Sequence, residues 1–164
     1  MGKTIILNLT DIELKGNILD VGESYGVIYN MSKEIDDEIS IDTIISEGEG
    51  VVTQERYDSC TVFFYLSSIW SMATRYSLLK DVSKYIRKGG SIYIWDVNKD
   101  VGEMVSNKIR VLLPSSKVKE FEFKNLNPIS KSASDETKIM LEKNFRITET
   151  KEWEDVYFIK ATRI

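Results

Sequence analysis

The sequence of 164 residues contains no histidine and a single cysteine. Without histidine, Ser-His and Cys-His catalysis is excluded, and no imidazole can bind a metal. The one cysteine, Cys60, excludes an internal disulfide and indicates a reducing compartment, so we expect a cytoplasmic protein. Cys60 lies within an apolar run, which favours a small core residue over a nucleophile. We expect no metal site, because a structural zinc site needs more Cys and His ligands than this chain has.

Long hydrophobic runs and a concentrated basic surface are also missing. No apolar segment approaches the roughly 20 residues of a membrane span, and the first residues lack the features of a signal peptide. The net charge is −4, and although basic residues are more frequent after residue 82, acidic residues interrupt them. We therefore expect a protein that binds neither membrane nor nucleic acid, since a nucleic-acid surface should be strongly and continuously basic.

The composition that is present is typical of a globular protein. Hydrophobic residues make up 42% of the chain and charged residues 29%. A chain of this length can bury a core of its own, and neither a linker nor an internal repeat divides it. We therefore expect one domain over residues 1–164.

The most informative stretch is Asn17–Gly26, which reads NILDVGESYG. Its apolar start predicts a buried parallel strand that ends in an acid, Asp20. Gly22 follows where the chain must turn, and after Gly26 apolar residues recur at helical spacing as far as Ile35. Such a strand, turn and helix start lets the backbone approach a ligand closely, although an ordinary corner between strand and helix has the same pattern.

Strands and helices alternate along the rest of the chain, which predicts an α/β fold with a mostly parallel sheet and helices on both faces. A strand at Ser40–Ile45 carries Asp42, 22 residues after Asp20, where Rossmann-like folds often have an acid that accepts hydrogen bonds from a ribose. Further predicted strands are Thr4–Leu7, Ser59–Leu66, Ser91–Val97, Phe145–Thr150 and Val156–Ala161. The last two are joined closely enough to pair antiparallel, so the last strand should run against the others.

Two segments depart from simple alternation. Only 15 residues separate Asp42 from Asp58, too few for a helix and a strand with their connections, so a unit is expected to be shortened here. Alternating runs on either side of Pro114 predict a hairpin inserted around residues 108–124 that projects beside the ligand cleft.

Three further helices are predicted. A helix closed by Arg87–Gly90 is expected near residues 78–86, and Asn98 can cap a short helix carrying Val105. A last helix should begin at residues 134–136.

Three segments resemble the class I S-adenosylmethionine-dependent methyltransferases. NILDVGESYG looks like the first motif of that family, and YDSCTVFFYLSSIW looks like its fourth strand. LLKDVSKYIRKGGSIYIWD has the helix, the basic-Gly-Gly turn and the fifth strand that the family commonly shows. The closing helix, strand, tight join and strand also resemble its antiparallel end. The resemblance implies that S-adenosylmethionine is the cofactor and a small molecule the substrate.

The resemblance also implies roles for single residues. The glycine turn would face the methionine part of the cofactor, Asp42 would bind its ribose, and the end of the fourth strand would border the cofactor or the substrate. The implied cofactor-binding residues are Asp20, Gly22, Glu23, Ser24, Gly26, Asp42, Tyr65 and Leu66. Trp70 and Asp96 are substrate candidates because both stand at strand exits. No catalytic residue is assigned, since transfer from an activated sulfonium asks for little acid-base chemistry.

Two departures from the family pattern keep other functions open. Ser24 stands where the family usually has a glycine, and the short segment after Asp42 removes the usual place of an acid that contacts adenine. A methyltransferase-like module that binds or scaffolds without transfer is therefore the main alternative. A nucleotide-binding oxidoreductase is a third, which the antiparallel end and the lack of Gly-x-Gly-x-x-Gly argue against. The methyl acceptor and the oligomeric state cannot be read from the sequence.

Overall fold

The structure, a computed structural model, describes residues 2–14, 16–22, 24–28, 40–44 and 55–164. Within these ranges there are nine strands and two α-helices of at least eight residues. In chain order they are β1 (Thr4–Asn8), β2 (Asn17–Val21), β3 (Ser40–Ile44), β4 (Tyr57–Phe63), α1 (Met72–Tyr85), β5 (Ile86–Val97), β6 (Val105–Leu112), β7 (Val118–Asn125), α2 (Ser134–Leu141), β8 (Phe145–Trp153) and β9 (Val156–Arg163). Neither helix is long and apolar enough to cross a membrane.

Six strands form the main sheet in the order β3-β2-β4-β5-β9-β8. The first four are parallel to one another, β9 is antiparallel to β5, and β8 is antiparallel to β9. Only the last strand therefore runs against the rest, as the sequence predicts. β2 and β4 are adjacent, so the stretch after Asn17 and the most apolar strand belong to one sheet. The expected shortening falls on residues 45–54, which lie outside the described residues.

The two faces of the main sheet are covered differently. Side chains alternate along each strand, so that Ile92 and Ile94 face one side while Tyr93 and Trp95 face the other. The first side packs against α1 and α2. The second packs against a three-stranded sheet in the order β1-β6-β7 and the helix start at residues 27–28. In the described ranges the small sheet covers most of this second face, beside the helix start. Whether a helix also lies on this face, as predicted, depends on residues 29–39, which lie outside the described residues.

The predicted hairpin is confirmed and is longer than its sequence signal. β6 and β7 pair antiparallel from Val105 with Asn125 to Leu112 with Val118. β1 joins them by pairing parallel with β6, from Thr4 with Lys108 to Asn8 with Leu112. The hairpin is thus part of the hydrophobic core, because its inward side chains are buried against the main sheet.

Asn98 does not begin a helix, and the prediction of a short helix here is wrong. Residues 98–104 form a loop, and Val105 opens β6. The Oδ1 atom of Asn98 instead accepts a hydrogen bond from the backbone N–H of Ser134, at 3.0 Å. Ser134 is the first residue of α2, whose preceding residue, Ala133, has no side-chain acceptor. Asn98 therefore does accept a hydrogen bond from a helix N–H group, but the helix begins more than 30 residues later in the chain.

The boundaries around α1 also differ from the prediction. α1 ends at Tyr85, and β5 already begins at Ile86, so the Arg87–Gly90 turn interrupts a strand and does not terminate a helix. The pairing of β4 with β5 shifts between Tyr57 and Ser59 to absorb it. β4 ends at Phe63, earlier than expected, because Phe64 takes a left-handed φ of 52°. Of the helix predicted after Gly26, residues 27–28 are helical and the remainder lies outside the described residues.

Candidate functional site

The glycine turn follows β2 at the carboxyl end of the parallel strands, where open α/β sheets bind ligands. Gly22 and Gly26 have φ of +82° and +73°, a region that favours glycine. Between them a short 3-10 turn covers Ser24–Gly26, and Tyr25 is also left-handed, with φ of 53°. A non-glycine residue rarely takes this conformation unless its surroundings hold it there. The turn therefore places the Tyr25 ring at a fixed point beside the sheet.

The space above Gly22 is taken by an aromatic ring. A Cβ atom added to Gly22 would lie 2.6 Å from Cδ1 of Tyr65. Tyr65 lies two residues after the end of β4, so the structure brings together two of the predicted cofactor residues. The absence of a side chain at Gly22 thus serves a close contact with Tyr65, and a ligand can approach this backbone directly only when the Tyr65 ring turns away.

Asp20, the acid of the glycine motif, is buried. Its Oδ1 accepts a hydrogen bond of 2.8 Å from Oγ1 of Thr61 on the neighbouring strand. Its side chain is 4% exposed. Burial, followed by the charge of Asp20, raises the pKa of the Cys60 thiol well above its ordinary value. Cys60 is therefore an unreactive core thiol, as the sequence predicts.

The structure describes the other predicted cofactor residues unevenly. Glu23 lies outside the described residues, and only the backbone of Ser24 is described. Asp42 is the third residue of β3, pairs in register with Leu19, and lies two residues before the strand end. Leu66 is 1% exposed and packs in the core beneath α1. Of the predicted set, Gly22, Gly26 and Tyr65 thus stand at the turn itself.

A cleft of about 280 Å³ opens next to this turn. Its walls come from the glycine turn, the exit of β4 and the end of β7. They are formed by Tyr25, Phe64, Ser67, Ser68, Trp70, Phe123, Lys124, Asn125, Leu126, Asn127 and Ser130. The hairpin therefore borders the cleft, in the position that the sequence predicted. Trp70, a predicted substrate residue, lines it with 65% of its surface exposed.

An aromatic cluster joins the hairpin to the glycine turn. The Tyr25 ring stacks on Phe121 of β7 with a centroid distance of 4.1 Å and an interplanar angle of 15°. Phe64 contacts both Phe121 and Phe123, at 5.8 and 5.4 Å between centroids. Aromatic pairs in such arrangements each add roughly 0.5–1.5 kcal/mol beyond area burial. The cluster thus holds Tyr25 in its left-handed backbone conformation and fixes one wall of the cleft.

Asn125 joins the other walls. Its Nδ2 donates to the carbonyl of Ser67 at 3.1 Å, which connects β7 to the exit of β4. Its Oδ1 accepts from the hydroxyl of Ser130 and the N–H of Asn127, at 3.1 and 3.2 Å. Both ends of the amide are therefore engaged within the protein. Asn125 holds the shape of the cleft.

Asp96, the second predicted substrate residue, lies behind the cleft and has no exposed surface. Its carboxylate accepts N–H bonds from Ser67 and Val97, both at 2.8 Å. Burial raises the pKa of Asp96 to about 6, although these donors and the nearby Arg75 lower it. Asp96 can thus reach a ligand only through Ser67, which it positions. Burial, with the Asp96 charge, also raises the pKa of Tyr157, whose hydroxyl is 2.9 Å from that of Thr137.

A larger cavity of about 680 Å³ lies at the opposite, amino ends of the strands, between the loop at residues 10–13 and β5. Its basic side chains already have partners within the protein. Arg87 pairs with Asp58, Lys151 pairs with Glu149 at 3.3 Å, and Lys160 lies over the ring of Tyr93. We therefore place the candidate site at the smaller cleft. In the described ranges no group of three Asp, Glu or Cys residues could hold a metal ion.

Comparison with solved structures identifies the fold. A SAM-dependent methyltransferase from Aquifex aeolicus superposes with a TM-score of 0.63 and 14% identity, over 95% of this chain and 87% of that one. One from Methanosarcina mazei gives 0.61 and 14%, over 93% and 94% of the two chains. SAM-bound CalS10, an amino pentose methyltransferase from Micromonospora echinaspora, gives 0.54 and 12%, over 91% and 84%.

The chain has the class I S-adenosylmethionine-dependent methyltransferase fold. No family model and no curated protein matches it. The likeness to these solved structures is therefore one of fold, at 12–14% sequence identity. In this methyltransferase fold the glycine turn, the exit of β4 and the cleft lie at one end of the sheet.

Sequence reasoning missed the residues that shape the cleft most. Phe121 and Phe123 belong to the alternating run after Pro114 that predicts the hairpin, and Asn125 falls just outside the predicted hairpin. Their signal was weak, because a hairpin strand with alternating aromatic residues has the same pattern wherever it packs. Tyr25 belongs to the stretch NILDVGESYG, but its stacking depends on a left-handed turn that a sequence rarely reveals for tyrosine.

Proposed function

We propose that the protein is an S-adenosylmethionine-dependent methyltransferase that acts on a small molecule. One observation carries the proposal: the glycine turn and a cleft of small-molecule size lie side by side at the carboxyl ends of β2 and β4. Several solved proteins of the same fold are methyltransferases, including the SAM-bound CalS10. The acceptor would enter the cleft while the cofactor lies along the turn.

The residues fit the cofactor at the turn under one condition. Gly22 and Gly26 supply a backbone without side chains, which a methionine group can approach, and Asp42 would accept hydrogen bonds from the ribose. Tyr65 lies where the ligand would meet Gly22, so its ring must rotate toward solvent, for which its partial exposure leaves room. When bound, the cofactor supplies a methyl group already activated by a sulfonium.

The protein's own contribution is to position the two reactants. Reactants held in line need little further catalysis, and a rigid wall supplies that alignment. Here Asn125 fixes the loop after β4, Asp96 holds Ser67, and the aromatic cluster fixes Tyr25. The lack of histidine is compatible with such a reaction.

A second function, a binding or scaffold module that has lost transfer, is favoured by two observations. The Tyr65 ring covers Gly22, and Asp42 lies within β3 and not at its end. Both reduce the contacts that a cofactor can make without rearrangement. Under this alternative the cleft would still bind a ligand.

Calorimetry with S-adenosylmethionine and its demethylated product separates the two functions. We expect weak binding, at micromolar Kd or above, which corresponds to about 8 kcal/mol or less. Asp42→Ala should weaken it by about 1.5–3 kcal/mol, the range for a hydrogen bond to a charged group. Asp11→Ala, the same change at the opposite end of the sheet, is the control. Absence of heat with either ligand at millimolar concentration would favour the non-catalytic module.

A further inference from the structure

We propose that the cleft binds a one- or two-ring aromatic molecule that carries hydrogen-bond acceptors and no positive charge, such as a phenolic acid. The inference rests on the proposed function only in making this molecule the methyl acceptor. Its binding follows from the walls of the cleft and does not require the cofactor.

Aromatic side chains give the cleft its shape. Phe64 and Phe123, each 3% exposed, form its buried base, while Tyr25 and Trp70 stand at the rim with 42% and 65% of their surfaces exposed. One face of Tyr25 is already covered by Phe121. Its exposed part, together with the indole of Trp70, offers aromatic surface to a ring that enters between them. Aromatic pairs prefer such stacked or edge-on contacts, so a planar ring fits better than a saturated one.

The polar groups that remain available are mainly donors. The hydroxyl of Tyr25 and the indole N–H of Trp70 have no hydrogen-bond partner among the described residues, and Lys124 adds an ammonium group. Burial, followed by the charge of Asp96, raises the pKa of Tyr25, so its hydroxyl stays protonated and able to donate at neutral pH. Lys124 is shared with Glu122 at 3.6 Å and is more than half exposed, so its charge contributes weakly.

No acidic side chain lines the cleft among the residues that the structure describes. This differs from the chain as a whole, which carries 26 acidic residues against 22 basic ones. Asp96 lies behind Ser67, fully buried, with two backbone N–H groups on its carboxylate and Arg75 nearby. Among the described residues, a ligand cation would therefore find no carboxylate at the surface of the cleft, while a carboxylate or a phenol oxygen would find donors.

The cleft also limits the size of the ligand. A volume of about 280 Å³ is at the lower end of small-molecule sites, which usually span roughly 300–1,000 Å³. Asn125 and Asn127 cannot widen it freely, because their side chains are bonded to Ser67, Ser130 and Ile129. One ring with a short side chain, or two fused rings, fills this space.

The test is calorimetry of the cofactor-free protein with three probe molecules of similar size and shape. 4-Hydroxyphenylacetate carries the ring and the acid, tyramine replaces the acid by an ammonium group, and 4-hydroxycyclohexylacetate replaces the aromatic ring. We expect the first to bind about tenfold more tightly than either of the others. Equal binding of tyramine would overturn the charge argument, and equal binding of the cyclohexyl compound would overturn the aromatic one.

Variants at the exposed rim test the location without disturbing the core. Trp70→Ala should weaken 4-hydroxyphenylacetate binding about tenfold, and Trp70→Phe should retain most of it, because stacking needs a ring. Tyr25→Phe should weaken 4-hydroxyphenylacetate binding about threefold, because the hydroxyl donor is lost. Ile139→Ala, an exposed apolar truncation on α2, is the matched control and should change nothing.

The experiments distinguish failure of the methyltransferase proposal from failure of the proposed ligand class. If S-adenosylmethionine binds but 4-hydroxyphenylacetate does not, the acceptor class is wrong while the methyltransferase proposal stands. If the phenolic acid binds and depends on Trp70 while neither cofactor form binds, the cleft is correctly read and the protein is a binding module. Phenolic-acid binding that ignores Trp70 would overturn this inference, because the ligand would then lie elsewhere.

Discussion

Gly22 shows how one residue without a side chain connects the glycine turn to β4. Its φ of +82° and the 2.6 Å between an added Cβ and the Tyr65 ring are two separate reasons for glycine. Gly102 offers a comparison, since it has φ of +93° and nothing within 4 Å of an added Cβ. The pair can therefore separate backbone strain from steric overlap.

We predict that Gly22→Ala lowers the free energy of unfolding by about 2–4 kcal/mol, and Gly102→Ala by only about 1 kcal/mol. Urea denaturation of both variants checks this. Adding Tyr65→Ala to Gly22→Ala should recover part of the loss, because it removes the overlapping ring. Equal losses at the two glycines would show that Tyr65 does not press on Gly22.

The buried carboxyl of Asp96 should make stability depend on pH. Its pKa of about 6 in the folded protein lies above the ordinary value of 3.8, mainly because of burial. The folded state therefore binds the proton more strongly, and the stability from this group is present below about pH 4 and lost as the pH rises through 6. The wild type should lose stability relative to Asp96→Asn between pH 4 and pH 6.5 in urea titrations. Parallel curves for the two proteins would contradict the assignment.

At this scale the sequence indicates residue types better than it indicates partners. Asp20, Gly22 and Tyr65 were singled out correctly as residues at strand ends, and Cys60 as a core thiol. What could not be predicted is that Thr61 would bond Asp20 and that Tyr65 would fill the space over Gly22. These contacts depend on the register between β2 and β4 and on the side-chain conformation of Tyr65, which follows the left-handed Phe64. A local sequence pattern predicts neither of them.

The start of α2 shows how elements depend on distant loops. The Oδ1 of Asn98 accepts from the N–H of Ser134, and its Nδ2 donates to Glu152 at 3.1 Å. Asn98 thereby joins the exit of β5, α2 and β8. This explains why a capping residue appears in the sequence where no helix follows.

We predict that Asn98→Ala lowers the free energy of unfolding by about 0.5–2 kcal/mol, the range for a lost helix cap. Asn98→Asp keeps the acceptor for Ser134 but places a second carboxylate beside Glu152. At low pH the free energy of unfolding of Asn98→Asp should therefore lie between those of the wild type and Asn98→Ala, and at neutral pH it should be lower. Chemical denaturation at two pH values measures both, and an unchanged stability of Asn98→Ala would show that the bond is not a functioning cap.

Elements with strong local signals were predicted well, whereas their surroundings were not. The hairpin, the last helix and the closing strand pair all carry clear periodicity and appear where expected. The pairing of β1 with β6 was not foreseen, because it joins segments about 100 residues apart. Long-range pairing of this kind leaves no trace in either strand alone.

For the whole molecule, the order of elements was sufficient to indicate the fold, but not how its faces are covered. A mostly parallel sheet with a reversed last strand is typical of the methyltransferase fold, and the structure confirms this sheet. The small sheet could not be inferred, since β6 and β7 have the pattern of an inserted hairpin and β1 that of a separate strand. It brings Phe121 against Tyr25 and so gives the cleft an aromatic wall.

If the glycine turn holds the cofactor, as proposed, the backbone amides of that turn will sense the ligand. ¹H–¹⁵N spectra of labelled protein should be recorded while S-adenosylhomocysteine is added to millimolar concentration. We predict that the largest shifts are at Gly22, Gly26 and Tyr65, with little change at Gly89 near the start of β5 and at Gly102 in the loop after it. Shifts concentrated at the amino-end cavity near Gly89, or no shifts at all, would contradict the account.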